Sequence, residues 1–128
     1  MKIGIKGIEV FKVSEKNTAQ NMHSGTLDVL STPYLIAKME ECAWKSVQPF
    51  LDKADTTVGC HIDVQHISPT PITMEVQCTS TLTQINGREL IFQLTAFDEQ
   101  GLIAEGTHKR VIVQAERFLE KANLKKKT

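Results

Sequence analysis

The feature that most constrains the fold is a change of hydrophobic period at about residue 56. Before that point, apolar residues from Leu35 to Leu51 recur at i, i+4 spacing, the pattern of an amphipathic helix. Ser31-Thr32-Pro33 precedes them as a helix start signal, since Ser or Thr caps a helix and Pro fits its first turn. Beyond residue 56, apolar and polar residues alternate, as in strands that bury one face. The sequence therefore predicts one long helix followed by a run of strands.

Turn signals divide the remainder of the chain into strands. Asn86-Gly87 is the strongest hairpin signal, because both residues tolerate positive φ. We predict strands near 3–13, 56–66, 74–82, 90–97 and 102–113, a loop or lid at 14–30, a short helix at 114–124 and a flexible tail at 125–128. At about 150 residues per domain, residues 1–128 make one domain. The expected fold class is α+β: a curled antiparallel five-stranded sheet wrapped around one long helix.

A sheet of this size has more surface than one helix can cover. Either the sheet curls around the helix, or its other face or edge meets a second subunit. Ile91 and Phe97 alternate with the core-facing residues of their strand, so they lie on the outer face. These two side chains favour a dimer.

Composition excludes several classes of function. Fifteen basic residues balance fifteen acidic ones, which argues against a nucleic-acid partner. No segment approaches the roughly 20 apolar residues of a membrane span, and the N-terminus lacks a signal-peptide core, so we expect a cytoplasmic protein without membrane contact. Cys42, Cys60 and Cys78 form no C-x-x-C pair. We interpret them as buried small hydrophobes and expect no metal or cofactor.

Two ionisable residues are predicted to point inward. Glu40 falls within the apolar arc of the helix, where a carboxylate is costly unless it is paired or protonated; the alternative is a Glu at the edge of the stripe that reaches solvent. His66 is in phase with Val58, Cys60, Ile62 and Val64, so it points toward the helix; the alternative is a core histidine satisfied by a backbone carbonyl. Thr32 is the third candidate, and its alternative role is the helix cap.

A hydroxyl, a carboxylate and an imidazole in one dry pocket suit acyl transfer or hydrolysis. The sequence contains no G-x-S-x-G elbow, no H-E-x-x-H motif and no glycine-rich phosphate loop. A serine hydrolase of the elbow type, a zinc enzyme and a P-loop protein are therefore disfavoured.

The same residues carry a resemblance to a known family. The chain from about residue 30 to 118 resembles the hotdog-fold thioesterases of the fluoroacetyl-CoA thioesterase-like family, whose functional Thr, Glu and His positions fall on Thr32, Glu40 and His66. The matching segments are Ser31–Ala43, Thr57–His66 with Thr70-Pro71, Asn86-Gly87-Arg88 and Glu105–Arg110.

The resemblance implies a homodimer, with a tetramer left open, whose active sites lie near the subunit interface and take an acyl-CoA thioester. His66 and Glu40 would activate water, or Glu40 would attack the thioester first, while Thr32 would orient the acyl group. The backbone N–H of Gly59 is a candidate oxyanion donor, and Arg110 matches a position near the acyl pocket. A charge at the strand end in solvent is the alternative for Arg110.

One segment departs from the family pattern. The fluoroacetyl-specific enzymes have aromatic lid residues before the helix, whereas this chain reads His23-Ser24-Gly25-Thr26-Leu27. We therefore expect a short acyl-CoA substrate without fluoroacetyl specificity. Two other functions stay open from the sequence: a non-catalytic acyl-CoA binding module, and an enoyl-CoA hydratase.

Overall fold

The computed structural model describes residues 1–126 of the 128-residue chain. Its regular elements are β1 (Lys6–Lys12), α1 (Thr32–Val47), β2 (Asp55–His66), β3 (Glu75–Asn86), β4 (Glu89–Asp98), β5 (Gly101–Gln114) and α2 (Ala115–Asn123). The strands form one antiparallel sheet in the order β1-β3-β4-β5-β2, and α1 packs on one face of it. The predicted α+β class, with one long helix against a five-stranded sheet, is confirmed.

The core lies between α1 and the inner face of the sheet. The helix contributes one stripe, and alternate residues of β3, β4 and β5 contribute the opposing layer, as the two periods of helix and strand require. The fully buried members include Leu35, Met39, Ala43, Val47, Val76, Leu82, Leu90, Phe92, Leu94 and Ile103. The helix ends at Val47, because Pro49 lies in the 3₁₀ turn that follows, so Leu51 at the end of the predicted stripe lies outside it.

An irregularity in β2 corrects the predicted alternation of that strand. Gly59 pairs with Arg110, but the next paired residue is His61, so Cys60 is a bulged residue. Gly59 therefore shares the inner face with Ile62 and His66, whereas the sequence placed Val58 and Cys60 there. Cys60 is exposed, which also corrects its interpretation as a buried hydrophobe; Cys42 and Cys78 are buried as predicted.

The strands β2 and β5 approach each other closely at one point. Gly106 pairs with Val64, and a Cβ at position 106 would overlap the carbonyl oxygen of Asp63. Only glycine fits there with the two strands at this separation. The close approach fixes the half of β2 that ends at His66.

The segment 14–30 is tied to the fold near both ends. Ser14 caps a short 3₁₀ turn at Glu15–Asn17, and isolated bridges join Thr18 to Leu30 and Val29 to Pro71. At the other end of the chain, α2 confirms the predicted short helix and is followed by a 3₁₀ turn at Leu124–Lys126. The flexible tail was predicted at 125–128, but Lys125 and Lys126 belong to that turn, and residues 127–128 lie outside the described residues. Within residues 1–126, no helix is both long and apolar enough to cross a membrane.

Candidate active site

The first polar pair of the site joins the start of α1 to the end of β2. The hydroxyl oxygen of Thr32 and Nδ1 of His66 lie 2.8 Å apart, a hydrogen bond between residues 34 positions apart in the chain. The pair forms because α1 begins directly above the last residues of β2. Two of the three predicted catalytic residues are thus in contact.

The cap of α1 explains why the Thr32 hydroxyl is free for this bond. Ser31 is the capping residue, and its side chain accepts from the backbone N–H of Tyr34. Thr32 is the first residue of the helix, so its hydroxyl is not used for capping, the alternative considered from the sequence. Its side chain is exposed, which leaves it accessible to a ligand.

The imidazole of His66 is held in its neutral form. Burial lowers its pKa below the ordinary value of 6.5, and the nearby backbone of Ser68 opposes only part of that effect. Its Nε2 atom is buried and has no hydrogen-bond partner within residues 1–126. An unpaired buried nitrogen is costly, so a group that hydrogen-bonds to this atom would stabilise the site.

The second cluster of polar side chains consists of Glu40, in the middle of α1, with Arg110 and His108. The carboxylate atom Oε2 of Glu40 lies 3.5 Å from Nη1 of Arg110, and the Glu40 side chain is 38% exposed. A Cβ at Gly59 would lie 2.7 Å from the same oxygen, so the carboxylate rests against the bare backbone of β2. Glu40 therefore lies at the edge of the apolar stripe with one side on the sheet and the other open.

Arg110 is a buried residue, and most of the N–H donors of its guanidinium form hydrogen bonds within the protein. Its Nε donates to the Thr57 hydroxyl at 2.8 Å, Nη2 donates to the Thr57 carbonyl at 3.1 Å, and Nη1 lies 3.1 Å from Nε2 of His108. Burial lowers the pKa of the guanidinium, and the Glu40 charge opposes that effect. These contacts fix the cation beside Glu40 and reject the alternative of a strand-end charge in solvent.

His108 belongs to the same group and was not singled out from the sequence. Its Nδ1 lies 2.7 Å from the carbonyl of His61, and since a carbonyl only accepts, Nδ1 carries the proton. Nε2 is then an acceptor for Arg110, and burial lowers the pKa of His108, so the ring is neutral. Nε2 of His108 lies 3.7 Å from Oε2 of Glu40, but because the ring is neutral the two side chains do not form an ion pair. The signal that could have found His108 is its in-phase position with Arg110 on β5.

The two polar groups are separate within one protomer. Thr32 and Glu40 are eight residues apart on α1, which is about 12 Å along the axis. Ile62, which pairs with His108, precedes His66 by four residues, or about 13 Å along β2. A cavity of about 190 Å³ beside the outer edge of β2 is lined by Glu40, Gly59, Cys60, His61, Ile62 and His108. Thr32 and His66 do not line it.

Comparison with known proteins settles the family. A family model described as fluoroacetyl-CoA-specific thioesterase (FlK) matches residues 13–116. The chain belongs to this family. It is a thioester hydrolase of the hotdog fold, as the resemblance in its sequence indicated.

Individual relatives agree with this assignment. The fluoroacetyl-CoA thioesterase of Streptantibioticus cattleyicolor is 26% identical over 131 residues, covering 98% of this chain and 94% of that protein. A structure of an FlK variant with fluoroacetate and CoA is 26% identical, has a TM-score of 0.87 and covers 92% of this chain and 99% of that one. A hot-dog-like protein from Thermanaerovibrio acidaminovorans, 24% identical with a TM-score of 0.88, covers 100% of this chain and 94% of that one and shows the fold alone.

Proposed function

We propose that this thioesterase hydrolyses short acyl-CoA thioesters at a site built from two copies of the chain. The observation that carries the proposal is the Thr32–His66 pair, in which a neutral imidazole with an unpaired Nε2 touches an accessible hydroxyl. This pair can bind and polarise a reacting group, and the Glu40 carboxylate supplies the charged partner that hydrolysis needs.

A dimer would bring the two polar groups together. β2 is the edge strand of the sheet, twelve residues long, so its outer backbone groups are available for pairing. We propose antiparallel pairing of β2 with the same strand of a second copy, around a two-fold axis near Asp63. His66 lies three residues beyond that point, about 10 Å, and the Gly59–Cys60 bulge lies at a similar distance on the other side.

This register places Gly59 and Glu40 of one protomer opposite His66 of the partner subunit. Facing residues of paired strands project to the same side of the sheet, and both Gly59 and His66 project to the inner side. The unpaired Nε2 of His66 would then face the carboxylate across the interface. Each dimer would have two equivalent sites, as isologous pairing requires.

The chemistry at such a site follows one of two routes. In the first, the carboxylate–imidazole pair takes a proton from water, the water oxygen adds to the thioester carbonyl, and the C–S bond breaks as the thiolate receives the proton. In the second, Glu40 itself displaces the thiolate, and water then cleaves the resulting acyl anhydride. Thr32 would orient the acyl group in both, and the Gly59 N–H is the proposed oxyanion donor.

Arg110 has a different proposed role from the one expected at first. Its donors face Thr57, His108 and Glu40, so we propose that it positions the Glu40 carboxylate and sets its charge environment. Direct contact with the acyl group stays a prediction. We also propose that the protein works in the cytoplasm, because its three cysteines are free thiols, which persist in a reducing compartment.

The first experiment is hydrolysis of a panel of acyl-CoA thioesters, including acetyl-, fluoroacetyl- and propionyl-CoA, followed by thiol release. We expect turnover of short acyl groups without the strong preference for fluoroacetyl-CoA that an aromatic lid would give. Thermal stabilisation by the ligand without thiol release would instead identify a binding module. Hydration of crotonyl-CoA would identify a hydratase.

The second experiment tests the shared site by complementation. Glu40→Gln and His66→Ala are each expected to be inactive, and the two are then refolded together in equal amounts. Half of the dimers are mixed and each has one intact site, so activity should return to about a quarter of the wild-type value. No recovery, with mixed dimers demonstrated by mass spectrometry, would place each site within a single protomer.

A further inference from the structure

A basic groove lies where α2 meets the end of β5, outside the polar groups described above. Its volume is about 300 Å³, and its lining includes three cationic side chains, Arg88, Arg117 and Lys121, together with Phe118 and Ile112. None of the residues 1–126 that line it is Asp or Glu. Phe118 is 45% exposed, so its ring is available to a flat ligand group.

The three charges have no ion-pair partner in the described part of the chain. Lys38, Lys45 and Lys109 each lie within ion-pair distance of a Glu, whereas Arg88, Arg117 and Lys121 form no ion pair within residues 1–126. Arg117 and Lys121 are one turn apart on α2, where like charges repel and weaken a helix. Arg88 is turned toward them by its bond from Nη1 to the Ile112 carbonyl, at 3.3 Å. An anion in the groove would relieve this repulsion.

The groove is close to the Glu40 side of the site. Ile112 follows Arg110 by two residues on β5, about 7 Å, and Gln114 at the start of α2 follows it by four, about 13 Å. The thioester of an acyl-CoA is separated from its phosphates by the pantetheine arm, whose extended length is comparable to that spacing. A ligand with its thioester near Gly59 can therefore place phosphates among these cations.

We propose that Arg88, Arg117 and Lys121 bind the phosphate groups of the CoA nucleotide, with the adenine against the ring of Phe118. The proposal deepens the proposed function, on which it rests for the position of the thioester. An arginine guanidinium can donate two parallel hydrogen bonds to the oxygens of a phosphate, and aromatic rings stack on nucleobases. The groove thus recognises the CoA carrier, while the polar groups at Glu40 and His66 act on the acyl end.

The kinetic test compares two substrates that differ only in the nucleotide. For the variant Arg117→Gln/Lys121→Gln, we expect KM for acetyl-CoA to rise about tenfold with little change in kcat, because two exposed charge contacts are lost. Hydrolysis of acetyl-pantetheine, which lacks the nucleotide phosphates, should not change. Arg88 lies in the turn between β3 and β4, so Arg88→Gln removes a charge from the same groove without changing α2, and it should also raise KM for acetyl-CoA. Equal losses with both substrates, or no loss with either, would overturn the proposal.

A binding test separates this proposal from the proposed function. Adenosine 3′,5′-bisphosphate is titrated into the wild-type protein and the double variant by calorimetry, which requires no turnover. Binding to the wild type that is lost in the variant supports the groove even if no thioester is hydrolysed. Equal binding to both proteins, or none to the wild type, overturns it. Lys6→Gln/Lys12→Gln removes the same charge from β1, at the opposite edge of the sheet, and should bind like the wild type.

Discussion

The hydroxyl of Thr32 lies 2.8 Å from Nδ1 of His66, although the two residues are 34 positions apart in the chain. The bond depends on Ser31 capping the helix in place of Thr32. It gives the imidazole a fixed orientation and the hydroxyl a polarising neighbour. Loss of either side chain should therefore affect the reaction more than the fold.

Substitution of Thr32 tests that bond directly. Thr32→Val keeps the shape of the side chain and removes the hydroxyl, so we expect kcat/KM for acetyl-CoA to fall by roughly a hundredfold. Thr32→Ser keeps the hydroxyl and should retain most of the activity. Equal rates for the Val variant and the wild type would show that the hydroxyl has no part in the reaction.

The carboxylate of Glu40 is expected to be essential. Glu40→Gln keeps the size of the side chain but removes its charge, and the rate should fall by a hundredfold or more, in the range of a lost acid–base group or nucleophile. Glu41→Gln is the matched control, because the neighbouring Glu41 contacts Lys38 and Lys45 on the helix surface. Thiol release from acetyl-CoA measures both variants. Similar losses for the two would point to a general effect on the helix.

Gly59 should tolerate no side chain while the carboxylate stays in place. A Cβ there would lie 2.7 Å from Oε2 of Glu40 and 3.2 Å from Nη1 of Arg110, so Gly59→Ala must displace the carboxylate. We expect activity to fall at least tenfold, on the order of a misplaced catalytic group, with little change in the melting temperature because Glu40 can turn toward solvent. A fully active alanine variant would contradict the packing of Glu40 against β2.

The ionisation of His66 sets the pH dependence. Burial lowers its pKa, so the neutral, proton-accepting form should predominate at pH 7 and be lost only below the ordinary value of 6.5. Histidine NMR titration checks this, with the His66 signal assigned by its absence from the His66→Gln spectrum. We expect kcat/KM to be flat above pH 6.5 and to decline with the His66 titration at lower pH. A His66 midpoint above 6.5 would contradict the expectation that burial dominates, and would indicate that a carboxylate across the dimer interface raises the pKa.

The two buried imidazoles also couple stability to pH. The pKa values of His66 and His108 are both lowered in the folded state, so the unfolded chain binds more protons as the pH falls below 6.5. Their contribution to the free energy of unfolding is complete above pH 6.5 and is lost as the pH falls toward the folded-state values. Urea unfolding between pH 7.5 and 5 should show this decline. His108→Gln should reduce its slope.

Much of the fold was predictable because two simple periods repeat along the chain. The i, i+4 stripe on α1 and the alternation in β3 and β4 correspond to buried residues, and Asn86-Gly87 forms the predicted turn, with Gly87 at φ +63°. Family membership confirms the hotdog assignment. Periodicity predicts the buried face correctly where the apolar residues of an element follow its regular spacing without interruption.

The site was less predictable where that regularity fails. The bulge at Cys60 moves Gly59 to the inner face, and nothing in the alternation of Thr57 to His61 signals an extra residue. Helical pitch placed Glu40 inside the apolar arc, but it could not show that the carboxylate contacts Arg110 rather than His66. That choice depends on which part of β2 lies beneath each turn of α1, a tertiary relationship that no local pattern contains.

The close approach at Gly106 has a consequence for how this chain can vary. The strand with the open edge is seated against its neighbour at a separation that a single methyl group would prevent. A mutant library directed at the active site should therefore leave codon 106 unchanged. Replacements there would push β5 away from β2, whose opposite edge is the one along which two copies are expected to meet. Enzymes lost in this way would be mistaken for failures of chemistry.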